Sequence, residues 1–210
     1  MLSLKQVFFV ASILAFSTKA QQTLKPLTTR SIGIDLGLGF QNIGQIINPN
    51  KDIWGLNTPY FYKVHFIEFQ YEQELRKIGQ YPIYLSIKPQ WNRSEYKEEN
   101  DDEKLRQGFE SGINLGLKIK KKRNTARPGF WFAELSVGPH FISGAPRRQS
   151  VGFIFSDNLS AGLEFQTSKR MSNHLSMGFR HVSNAGIQNP NGGINTIFIK
   201  IGTSISLNIL

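Results

Sequence analysis

A histidine and a serine two positions apart, His181 and Ser183, stand in the run His-Val-Ser-Asn-Ala-Gly, which leads into a turn rich in Asn, Gly and Pro. In an extended chain successive side chains alternate sides, so these two share a face. A serine hydroxyl is a weak nucleophile until a base takes its proton, and an imidazole within reach is suited to that task. Leu175, Met177 and Phe179 precede His181 on the same face. After the turn, Asn195 falls in phase with Ile197, Ile199 and Ile201. Three polar groups thus stand at the ends of two apolar stripes. Turn chemistry offers a plainer account, in which Asn184, Gly186, Pro190, Asn191, Gly192 and Gly193 only shape a hairpin loop.

Other residues able to do chemistry are less well placed. His65, His140 and His174 are scattered, and none has a metal-type spacing such as His-Glu-x-x-His. The acid cluster Glu98, Glu99, Asp101, Asp102, Glu103 lacks the central Gly and distal Glu of a calcium loop, so no metal is expected there. Glu134 and Glu164 fall on the polar sides of their segments, where they suit an internal polar network.

The elements that must position the His/Ser pair show one pattern throughout. Residues 31–47 alternate Ile32, Ile34, Leu36, Leu38 and Phe40 against Ser31, Gly33, Asp35, Gly37 and Gly39. Comparable period-two alternation recurs over residues 60–71, 81–91, 107–120, 130–141, 150–167, 171–183 and 194–210, which predicts eight strands. Each is long enough for the ~9–11 residues a tilted strand needs to cross a bilayer. The fold class expected is all-β, an eight-stranded antiparallel transmembrane β-barrel of the outer-membrane type, its interior filled by side chains. A soluble sandwich has the same alternation with its apolar side turned inward.

Two segments strain the pattern. In residues 150–167 the parity never breaks, which puts Asp157 on the apolar side, a position tolerable only near an interface. A hairpin turn at Ser156-Asp157-Asn158 is the rival reading. It leaves too short a strand before it, so one long strand is expected. The segment 93–106 is dense in mixed charge and reads as a solvated loop.

Residues 1–20 carry Lys5, an apolar run over 7–16 and Thr18-Lys19-Ala20, the organisation of a secretory signal peptide, which leaves 21–210 as one β-barrel domain. There is no cysteine, which excludes disulfides and thiolate metal sites. No other stretch approaches the ~18 apolar residues of a transmembrane helix. The formal net charge is +10, which suits an anionic partner. Export argues against nucleic acid and for phosphorylated lipid headgroups, while solubility of the turns accounts for the charge equally well.

The run from His181 to Gly186, the Pro190-Asn191 pair and the Gly193-Ile194 that opens the last strand resemble the PagL family of outer-membrane lipid A 3-O-deacylases. The resemblance implies an outer-membrane hydrolase of an ester-linked acyl chain, without metal or cofactor, whose partner is lipid A within lipopolysaccharide. It implies Ser183 as nucleophile and His181 as its base. The group that holds the imidazole in such a triad is Glu in the family, and Asn195 stands at the matching position here. An amide oxygen orients a ring but supplies no negative charge. By the same resemblance Asn184, the N–H groups of Ala185 and Gly186, and Asn191 are candidates for the oxyanion hole. Arg147 and Arg148, in the expected outer loop before the sixth strand, are candidates for lipid phosphates. With both termini on the periplasmic side, the seventh strand runs outward and carries the site to the outer leaflet. The alternative reading is a catalytically weak or inactive barrel of the same class, with a lipid-binding or structural role.

Overall fold

A computed structural model describes residues 29–41, 60–98, 104–123 and 129–207. They form eight strands: β1 (Arg30–Phe40), β2 (Tyr60–Ile78), β3 (Tyr81–Glu98), β4 (Arg106–Lys122), β5 (Gly129–Ile142), β6 (Gly152–Gln166), β7 (Met171–Ser183) and β8 (Ile194–Ser206). Every strand pairs antiparallel with its neighbour in sequence, and β8 pairs back onto β1 to close a barrel. Closure leaves no unpaired edge, the condition a sheet must meet to cross hydrocarbon. The expected leader, residues 1–20, lies outside the described residues.

The outward side is apolar where the alternation said it would be. Leu36, Leu115, Leu159, Met177 and Ile201 are each more than half exposed, although nothing in water would favour that. Trp131, Phe165 and Tyr71 sit toward one end of the strands, and Phe109, Phe141 and Phe153 toward the other, the placing of two aromatic girdles. The two ends also differ in their connections. At the end where β1 begins and β8 finishes, strands join through Gly79-Gln80, residues 123–128 and residues 167–170. At the opposite end the connections span 41–59, 99–105, 143–151 and 184–193. Short periplasmic turns and longer outer loops are the rule in such barrels, so the second end is the outer one.

Side chains fill the interior, and charge is paired inside it. Glu68 meets Lys88 at 3.3 Å and Lys200 at 2.8 Å. Glu134 meets Lys88 at 2.7 Å and Lys118 at 3.4 Å. Lys118 also bonds Glu72, and Lys120 bridges Glu72 at 3.0 Å and Glu164 at 2.6 Å. Both glutamates expected in an internal network, Glu134 and Glu164, are in it. Nearer the outer end Arg180 donates to Glu110 at 2.7 Å, and Tyr62 donates to the same carboxylate. Such pairing is obligatory, because a buried ion that loses its partner costs ~3–5 kcal/mol. His174 bonds Asp35 at 2.6 Å. That contact needs a glycine beside it, since a Cβ on Gly202 would lie 2.0 Å from the Asp35 carboxylate and 2.4 Å from His174.

Above the ion ladder an apolar cluster, including Tyr60, Tyr62, Phe66, Ile142, Ile154, Val182, Ile194 and Phe198, packs the outer end of the interior. Val182 and Ile194 are 0% and 1% exposed. They are the inward neighbours of His181, Ser183 and Asn195, and their burial holds that hairpin with its polar side chains facing out.

Several boundaries differ from those the sequence suggests. The charged segment 93–106 is not all loop: β3 runs on to Glu98 and β4 begins at Arg106. Outward-facing Glu95 there sits 3.6 Å from Lys63 and 3.8 Å from both His65 and Arg93. A strand that projects beyond the bilayer alternates polar with polar, so hydrophobic periodicity does not reveal it. β2 likewise continues to Ile78, and β8 ends at Ser206. β1 ends at Phe40, and residues 42–47 lie outside the described set. β6 is a single strand through Asp157 with no hairpin at that point.

Candidate active site at the outer rim

The last two strands set the geometry. His181 on β7 lies directly opposite Asn195 on β8, and its Nδ1 is 2.6 Å from the Asn195 Oδ1. An amide oxygen only accepts, so the ring carries its proton on Nδ1 and keeps the lone pair on Nε2. That is the tautomer a general base for Ser183 requires. Ser183 lies one step further along the same outward face, beside Phe155 of β6. One row inward from the histidine, Leu159, Phe179 and Ile197 begin the apolar belt. Phe153 and Phe155 stack edge to face at 5.1 Å on the outward side of β6.

Gly193 packs directly against the imidazole. A Cβ built there would lie 2.6 Å from His181 Cε1 and 3.2 Å from Nε2, and its φ of +66° is one that side chains rarely adopt. The sequence marks Gly193 only as the residue before the last strand; its role as the floor of the histidine is a tertiary fact. Gln149 was missed altogether. It is buried, and its Oε1 accepts the Gly193 N–H at 3.1 Å, tying the loop before β6 to the base of the site.

The turn after β7 is a closed hydrogen-bonded unit. The Asn184 N–H donates to Asn191 Oδ1 at 2.9 Å, and its Nδ2 donates to Ser150 Oγ at 2.6 Å and Gln188 O at 2.5 Å. Asn184 Oδ1 in turn accepts the Gly186 N–H at 2.9 Å. These bonds bear on the donors expected for an oxyanion. Asn184 and the Gly186 N–H spend their donors inside the loop, because a buried amide must satisfy every polar group it carries. Of the four candidates, these bonds leave the Ala185 N–H and the Asn191 Nδ2. Ala185 is held at a φ of +54°, a left-handed conformation uncommon for a residue other than glycine.

Arg147 and Arg148 are both exposed in the loop between β5 and β6. Arg148 acts as a clamp: its guanidinium donates to the Gly192 carbonyl, its own carbonyl accepts the Gly192 N–H at 2.6 Å, and it lies 5.2 Å over the Tyr60 ring. The remaining histidines have other partners. His140 is buried 3.2 Å from Asn114, and His65 lies beside Glu95. Among the described residues no group of three His, Cys, Asp or Glu side chains is disposed to hold a metal ion. Of the acid cluster 98–103, only the Glu98 backbone lies within the described residues.

The family model for lipid A 3-O-deacylase (PagL) matches residues 67–204, which include most of the barrel and the whole of this site. The chain belongs to the PagL family. Among solved structures, the PagL-family chain is similar to the outer membrane enzyme PagL at 16% identity, covering 82% of this chain and 97% of that one, with a TM-score of 0.48. OprG from Pseudomonas aeruginosa matches at 8% identity over 87% of this chain and 98% of that one, with a TM-score of 0.49. Neisserial surface protein A matches at 11% identity over 84% and 95% of the two chains, with a TM-score of 0.43. No curated protein sequence matches. The PagL-family chain is an outer-membrane β-barrel.

Proposed function

We propose that this barrel is a lipid A deacylase that hydrolyses an ester-linked acyl chain, the 3-O chain, in the outer leaflet. Ser183 is the nucleophile, His181 its base and Asn195 the group that orients the ring. The observation that carries this reading is the 2.6 Å bond from His181 Nδ1 to Asn195, which leaves Nε2 as the free base on the face that Ser183 shares.

The steps follow from that arrangement. The Ser183 hydroxyl attacks the ester carbonyl while its proton passes to His181 Nε2. Negative charge develops on the carbonyl oxygen, toward which Ala185 N–H and Asn191 Nδ2 donate; one such donor is worth ~10²–10³-fold in rate. As the tetrahedral species collapses, the imidazolium returns the proton to the departing sugar oxygen. Water then attacks the acyl-serine with His181 again as base, and a free fatty acid leaves. The outward position suits the substrate, because the acyl chain lies along the apolar belt below the site while the sugar stays at headgroup level. Arg147 and Arg148, at the rim above, are the proposed contacts for its phosphates.

The second reading, a barrel that binds lipid without hydrolysing it, draws on Asn195, which supplies no charge to the imidazolium. Mass spectrometry of lipid A after incubation with the refolded barrel, beside Ser183→Ala, separates the two. Loss of one hydroxyacyl chain with the native protein alone is the expected result. Unchanged lipid A from a barrel that shows heat-modifiable migration would leave the binding role.

A further inference from the structure

The lateral row through the histidine runs Val137 on β5, Asp157 on β6, His181 on β7 and Asn195 on β8, each directly opposite the next. Directly opposed residues of an antiparallel pair place their Cβ atoms ~4.5–5.5 Å apart, so Asp157 and Asn195 stand on the strands either side of His181. Of the two, only Asp157 carries charge. On the outward faces of β5 to β8, among the described residues, Asp157 is the only acidic side chain and His181 the only basic one. One row inward the same strands show Leu135, Leu159, Phe179 and Ile197. A carboxylate at the edge of such a belt is costly unless a cation answers it. The only group on those faces able to become that cation is the imidazole beside it.

We propose that Asp157 is a positioning residue for the His/Ser chemistry, dividing with Asn195 the work that one acidic residue does in a conventional triad. Asn195 holds Nδ1 and sets the tautomer. Asp157 faces the positive charge that the ring acquires when the Ser183 proton arrives on Nε2. No bond to Asp157 forms or breaks, and the proton goes on to the leaving oxygen as before. The arrangement removes the difficulty that Asn195 presents, because the counter-charge comes from the strand on the opposite side of the histidine. This inference rests on the deacylase reading of the site.

The test compares lipid A hydrolysis by four refolded full-length barrels: the native chain, Asp157→Asn, Asp157→Glu, and Asp157→Asn combined with Asn195→Glu. The expected result is a fall in kcat of about 10²-fold for Asp157→Asn, with KM for lipid A little changed. Asp157→Glu keeps most of the rate. Asn195→Glu in the Asp157→Asn background recovers most of the loss, since it returns a negative charge to the other flank of the ring. Each variant is first shown to be folded by heat-modifiable migration. A purely structural Asp157 would not be rescued by a charge placed on β8, so failure of both rescues in folded barrels overturns the proposal. So does an Asp157→Asn barrel as active as an active native one, which leaves the deacylase reading intact. A folded native barrel without activity would overturn the deacylase reading and this inference with it.

Discussion

Gly193→Ala isolates the placement of the proposed base, His181. The added methyl would sit 2.6 Å from His181 Cε1, against the ~3.4 Å at which ordinary contacts begin. The backbone on one side is tied by the Gly193 N–H bond to Gln149, so the ring must yield by ~0.8 Å. A displacement of that size stretches the 2.6 Å bond to Asn195 to the limit of a hydrogen bond. Misplacing a catalytic group by ~1 Å costs on the order of 10²-fold in rate, and that is the expected fall in kcat. The same substitution forces a side chain into φ +66°, costing ~1–2 kcal/mol of stability. Gly79→Ala supplies the control. Its φ is +59° with nothing within 4 Å, at the far end of the barrel, so it carries the backbone cost without the contact. Kinetics on lipid A or a detergent-solubilised ester, together with urea unfolding, separate the two effects. Both variants should lose comparable stability, and only Gly193→Ala should lose the rate. A Gly193→Ala barrel within threefold of native kcat would refute the claim that this glycine seats the histidine.

Other outcomes follow from the same contacts. Arg180→Ala leaves Glu110 buried with its principal cation gone, and should destabilise the barrel by ~3–5 kcal/mol in urea unfolding, with little loss for an equivalent change at exposed Arg93. Ile201→Arg places a charge on the outward face near the middle of β8, where lipid makes it cost ~2–4 kcal/mol; unfolding from bilayers measures it, and no cost would argue that this face is wet. Asn184→Ala removes the side-chain bonds to Ser150, Gln188 and Gly186 together, and should raise protease sensitivity of the 184–193 loop and lower kcat by about tenfold through loss of loop order.

Most of the architecture could be read from the chain one strand at a time. Period-two alternation is a local property, so the number of strands, the apolar face of each, and the shared face of His181, Ser183 and Asn195 needed no tertiary information. The unbroken parity through residues 150–167 was enough to keep β6 whole and to place Asp157 outward. Alternation failed where both faces are polar, as in residues 93–98, because a strand standing in water has no hydrophobic period to show. Register, by contrast, belongs to pairs of strands. Lys200 reaches Glu68 across 132 positions of sequence, and Asp157 meets His181 across the β6–β7 register. The packing of Val182, Ile194 and the interior ion pairs sets that register, and a slip of one residue would turn every polar group of the site inward. So the amino-acid sequence alone determined which residues face the membrane and which polar residues share an outward face. Only closure of the barrel decided which side chains stand beside them, because lateral neighbours depend on how strands align and not on what any one strand contains.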